Sequence, residues 1–329
     1  MKSKFLLWIL AGVLASCDYL DIVPDQVPTM DNIFADRNTT LRYLNSCYWA
    51  LPFDMFEDSP AYTGSMELVV NRQNQNSGIL AAQGLNSASS GWFNHWSGTS
   101  GIGGSGRNLY AGIRECNVLI DNVNNVEDLT VTERRRMIAE AKTIKAYNTF
   151  YLLRQYGPVC LMRVTPPVGE TGGDTYRNKV DDCFQYVMDL LDEVIESKDL
   201  PVIITDKYSE LGRFTHAAAC MLKARVLLYR ASPFFNGNTE YHNFLDHNRE
   251  PFFNQEYDPA RWQHAVDACR AAVDACAEGD IHLYGDADYK PQYSTSDTTR
   301  RVNVLRSAIS EDASSNQEII FRHGLTAVS

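Results

Sequence analysis

The chain has 329 residues, of which 44% are hydrophobic and 22% charged, an ordinary globular composition. Asp and Glu number 41 against 30 Lys and Arg, giving a formal net charge of -11. That balance argues against nucleic acid as a partner, because phosphate-rich ligands are held by clustered basic side chains.

The first element is the stretch FLLWILAGVLASCD, residues 5–18. Lys2 and Lys4 precede an apolar run from Phe5 to Leu14, which small residues follow. The run is shorter than the roughly 18 apolar residues that a membrane-spanning helix needs. Its three zones are those of a secretory signal. Leu14-Ala15-Ser16-Cys17 is similar to the bacterial lipobox, in which the cysteine thiol takes a diacylglycerol and becomes the first residue of the mature chain. Residues 1–16 are therefore expected to be a lipoprotein signal peptide and 17–33 a lipidated, Pro- and Asp-bearing tether, with one folded domain over 34–329. Each buried acyl methylene contributes about 0.8 kcal/mol, so several chains anchor a protein without a transmembrane helix.

Two polar segments follow. VVNRQNQNSG (69–78) carries Arg72 and Asn74, and GWFNHWSGTSGIGGSG (91–106) carries Trp92, Asn94 and Trp96. Sugars present C–H faces and hydroxyl edges, so aromatic platforms beside planar hydrogen-bonding groups suit a glycan. Gly101 to Gly106 also matches G-x-G-x-x-G. A dinucleotide site needs a hydrophobic strand before the first glycine and a βαβ unit around it. FNHWSGTS is no such strand, and the match is read as a flexible loop.

Helical periodicity then takes over, and it repeats. Phe184, Val187, Met188, Leu191, Val194 and Ile195 form one apolar stripe; Trp262, Ala265, Val266, Cys269, Ala272 and Val273 form the same stripe at an offset of 78 residues, from 184 to 262. Ala141, Ile144, Lys145, Ala146 and Tyr151 are echoed at that offset by Ala219, Leu222, Lys223, Ala224 and Tyr229. The first of these partner helices is apolar on two faces, as in a helix sandwiched inside a solenoid. Thr130 and Glu133 spell a capping box at its start. The expected architecture is all-α: helix pairs 108–124 with 132–156 and 180–197 with 215–231, then a helix 260–277, separated by long loop-rich insertions. No partner for the last helix is evident at the expected offset, where 297–307 reads DTTRRVNVLRS.

Other chemistry is not encoded by spacing. The seven cysteines after Cys17 form no CxxC pair, and are read as small buried hydrophobes with room for one disulfide. His242 and His247 are five apart and off helical ligand spacing, so they are read as surface loop residues. Asp286 and Asp288 lack the Gly-and-Glu frame of a calcium loop. No G-x-S-x-G elbow occurs. No catalytic residue, cofactor or metal is assigned.

The lipobox with CDYLDIVP, LYAGIRECNVLI (109–120), AEAKTIKAYNTFYLLRQYGPVCLM (139–162), GRFTHAAACMLKARVLLYRASP (212–233) and NQEIIF (316–321) together resemble the SusD/RagB family of outer-membrane nutrient-binding lipoproteins. The resemblance implies tetratricopeptide-like helix pairs and a lipid-anchored protein on the cell surface. It also implies capture of glycans, without catalysis, for a SusC-like TonB-dependent transporter. Family ligand sites draw on loops before the first helix pair, which points to Trp92 and Trp96 as stacking platforms and to Arg72, Asn74 and Asn94 as hydroxyl partners. Against the family, the chain stops soon after NQEIIF, which reads as a truncation of the C-terminal part. A helical scaffold that binds proteins or peptides is the alternative, and a secreted glycoside hydrolase a third.

Overall fold

In the computed structural model the described residues are 30–52, 83–85, 87, 94–96, 108–165, 176–290, 296–312 and 314–322. Their helices are α1 (Met30–Ile33), α2 (Arg37–Trp49), α3 (Leu109–Asn122), α4 (Val131–Tyr156), α5 (Val180–Ser197), α6 (His216–Ala231), α7 (Ala260–Glu278) and α8 (Asp297–Ser310). Among the described residues no strand forms; one isolated antiparallel bridge joins Leu245 to Pro251. No helix among them is long and apolar enough to cross a membrane.

The helices stack in chain order, α3 on α4, α4 on α5, α5 on α6 and α6 on α7, while α2 lies against α3 and α4. Side-chain links show neighbours running in opposite directions. Lys142 in the first half of α4 meets Glu193 near the end of α5 at 2.5 Å, and Arg230 at the end of α6 reaches the Met188 sulfur at 3.7 Å. Helices α5 and α7 then start side by side, where Arg261 grips Asp181 through both guanidinium nitrogens at 2.9 and 2.7 Å.

The repeat explains the packing. Ala141, Ile144 and Ala146, with their counterparts Ala219, Leu222 and Ala224, are all buried, and small side chains at these positions let helices approach closely. The stripe of α5 is covered from both sides, by α4 and by α6. Its copy on α7 packs on α6 and is less covered: Ala265 and Ala272 are buried, but Trp262, Val266 and Val273 are exposed. The segment 297–307 is also helical, contrary to the sequence reading. α8 starts at Ser296, whose hydroxyl accepts from the Thr299 N–H at 3.3 Å, and buries none of its residues. Its start follows that of α6 by close to the repeat length.

Of the seven described cysteines, all free thiols in this structure, five are buried, Cys160 is half-buried and Cys269 is exposed, so the small-hydrophobe reading fits all but the last. Asp286 pairs with Arg300 at 2.9 Å, and Asp288 accepts from His282 at 3.0 Å.

The capping box forms as read. The Thr130 hydroxyl accepts from the Glu133 N–H at 3.2 Å, and the Glu133 carboxylate accepts from the Thr130 N–H at 2.9 Å and from Arg37 at 2.9 Å. Chiefly because of the Thr130 N–H, the Glu133 carboxyl is held down to about 2. A depressed carboxyl contributes stability that is present above its ordinary value of 4.5 and lost as pH falls to the folded one. Glu133→Ala is expected to cost about 1 kcal/mol at neutral pH. In urea titrations the gap between wild type and variant should close as pH falls from 4.5 towards 2.

Candidate functional site

One end of the stack gathers the start of α3, the end of α4, the start of α5, the end of α6 and the start of α7. Helix α4 stops at Gly157, whose φ of 71° lies in the left-handed region that favours glycine. A Cβ there would stand 3.1 Å from the Phe253 ring, so a loop from the far side of the stack closes against this turn.

Residues 94–96 are threaded into that end. The Leu109 N–H donates to the His95 carbonyl at 3.0 Å, and the His95 N–H donates to the Tyr156 hydroxyl at 3.0 Å. The side chain of Asn108 caps α3 by accepting from the Ala111 N–H at 3.0 Å. These bonds set Trp96 edge-on between Tyr110 and Tyr156, with ring centroids 5.0 and 5.8 Å away. The guanidinium of Arg177 sits over the indole at 5.2 Å, within cation–π range. Tyr110 donates to the Cys160 carbonyl at 3.0 Å. Burial pushes the hydroxyls of Tyr110 and Tyr156 above the usual phenol value, so both stay protonated donors at neutral pH.

A second aromatic group lies on the same end. Tyr176, which is 57% exposed, stacks on His247 at 4.1 Å and 12°. Phe234, Tyr241, Phe244 and Phe253 pack mostly edge-to-face or tilted over the buried Phe235 and Phe252. Phe234, Tyr241 and Phe244 keep part of their rings in solvent. Isolated exposed rings need no explanation, but a contiguous aromatic surface marks a contact surface. Among the described residues no three His, Cys, Asp or Glu side chains come together as a metal site.

Of the residues singled out from sequence, Trp96 and Asn94 are half-buried at this end, and Trp92, Arg72, Asn74 and Cys17 lie outside the described residues. Arg177 and Tyr176 were not anticipated, and His247, read only as a surface loop residue, is an exposed loop residue that joins the aromatic end. Tyr110 entered the sequence reading only as part of LYAGIRECNVLI.

No family model matches the chain. A SusD-like protein of Bacteroides ovatus is 28% identical over 156 residues, which is 45% of this chain and 26% of that protein. A solved structure named BT4246 superposes with a TM-score of 0.67 at 23% identity, over 87% of this chain and 50% of its own. The crystal structure of a SusD-like protein from Bacteroides fragilis gives 0.60 at 18% identity, over 90% of this chain and 47% of its own.

The fold is SusD-like. The chain spans about half the length of these two solved structures.

Proposed function

We propose that the chain is a cell-surface lipoprotein, anchored through Cys17, that binds glycans and hands them to a TonB-dependent outer-membrane transporter without chemistry of its own. The observation that carries this reading is the SusD-like fold over 87% of the chain, which bears an aromatic surface at one end. Arg177 supplies a cation 5.2 Å from the Trp96 ring.

In this reading Trp92 and Trp96 are the stacking platforms, and Arg72, Asn74 and Asn94 bond to hydroxyls. Each aromatic contact contributes about 0.5–1.5 kcal/mol beyond its area. Trp92→Ala combined with Trp96→Ala should therefore weaken glycan binding roughly tenfold. Calorimetric titration measures this, and circular dichroism checks that the variant keeps its helices. Unchanged affinity in a folded variant would remove the two tryptophans from the site.

A second reading, a helical scaffold for proteins or peptides, draws support from the open apolar stripe Trp262, Val266 and Val273 on α7. It predicts that the same double variant leaves glycan-dependent growth untouched.

A further inference from the structure

We infer that Cys47 of α2 and Cys116 of α3 form a disulfide in the exported protein, closing the segment that carries Arg72, Asn74, Trp92, Asn94 and Trp96. The inference rests on the export and glycan-binding reading above.

Two geometric observations converge on this pair. Helices α2 and α3 nearly touch at the end of α2: a Cβ on Gly112 would stand only 2.5 Å from the Cβ of Ala50. Cys47 lies three residues before Ala50 and Cys116 four after Gly112, about one turn away on each helix. α2 runs with α4, since Arg37 meets Glu133 and Tyr48 meets Glu140, and so against α3, which brings the two cysteines to the same level of the α2–α3 seam. Both cysteines are fully buried in the same apolar cluster. A disulfide needs Cβ atoms about 3.5–4.5 Å apart, a separation within reach of helices packed this closely. Other buried thiols are engaged elsewhere: Cys183 with the Val159 and Asn178 carbonyls at 3.7 Å, and Cys220 with the His216 ring at 3.6 Å.

Two S–H bonds break and one S–S bond forms. The two electrons and two protons pass to the disulfide of an extracytoplasmic thiol–disulfide oxidoreductase, which becomes a dithiol. The hydrogen bond with Cys116, and then burial, push the Cys47 thiol well above its usual value, so folded protein holds little thiolate. The bond therefore forms while the chain is folding, before α2 closes over α3. It removes conformational freedom from residues 48–115, the stretch with all five candidate ligand residues. Ordering a ligand loop in advance strengthens binding.

The test uses the full chain, recovered from the membrane fraction of cells that express it with its leader. The protein is denatured, alkylated without reductant, digested with trypsin and analysed by mass spectrometry. The peptides Tyr43–Arg72 and Glu115–Arg134 should appear joined, two hydrogens lighter than their sum, with Cys269 alkylated. Alkylation of both Cys47 and Cys116, or a crosslink between any other pair, would overturn the inference. A Cys47→Ser variant should bind glycan several-fold more weakly while keeping its helical circular dichroism; equal affinity would detach the crosslink from the site. The two readings fail separately. A crosslinked protein that binds no glycan sinks only the functional reading, and a glycan binder with two free thiols sinks only the disulfide.

Discussion

Replacing Glu140 by alanine is expected to cost about 3–5 kcal/mol of folding stability, because it strips the counter-charge from two half-enclosed guanidinium groups. Glu140 is fully buried in the middle of α4. One of its oxygens accepts from Arg136 at 2.9 Å and Arg213 at 2.8 Å, and the other from the Tyr48 hydroxyl at 2.9 Å and Arg213 at 3.1 Å. The Tyr48 hydroxyl in turn accepts from the Phe214 N–H at 2.8 Å. One carboxylate thus ties α2, α4 and the turn before α6 together. Glu210 also binds both arginines but is a quarter exposed, so it compensates only in part. Glu140→Gln keeps the shape and some hydrogen bonds and should lose less than alanine. Urea unfolding at pH 7 measures both; a loss for Glu140→Ala under about 1 kcal/mol would show that the network is solvated.

Phe184→Ala is the second large effect, also about 3–5 kcal/mol. Phe184 has no exposed surface and meets Phe235 edge-to-face at 5.1 Å, beneath the aromatic end. Truncation leaves a cavity that stacked helices on both sides cannot collapse to fill. The repeat supplies its own control. Trp262 occupies the equivalent position on α7 but is 40% exposed, so Trp262→Ala should cost much less despite the larger side chain. Equal losses in matched urea titrations would mean that the α7 stripe is covered in solution.

The helical core was legible because its cause is local and periodic. The stripe at 184–195 and the two-faced helix 132–156 follow from 3.6-residue spacing, and four of the five expected spans match the observed helices to within a residue at their starts and ends. The helix 109–122 is shorter at both ends than expected. Helix α8 escaped notice because Val302, Leu305 and Ile309 make a sparse stripe among arginines and threonines, and no residue of it echoes the α4 and α6 pattern. Its one readable sign was the Ser296 cap.

Half of the aromatic end was hidden for a different reason. Trp96 advertised itself as an aromatic in a glycine-rich loop. Tyr176 and His247 carry no mark in the sequence, because they lie 71 positions apart and meet only after α5 and α6 stack. Arg177 reaches Trp96 in the same way. Long-range pairs of this kind are products of the fold rather than of spacing.

Calorimetric titration of the full chain against matched panels of oligosaccharides and peptides tests the central claim most directly. Saturable binding to at least one glycan, weakened by Trp92→Ala with Trp96→Ala and absent from the peptide panel, is the predicted result. Saturable peptide binding with no response to any glycan would contradict it.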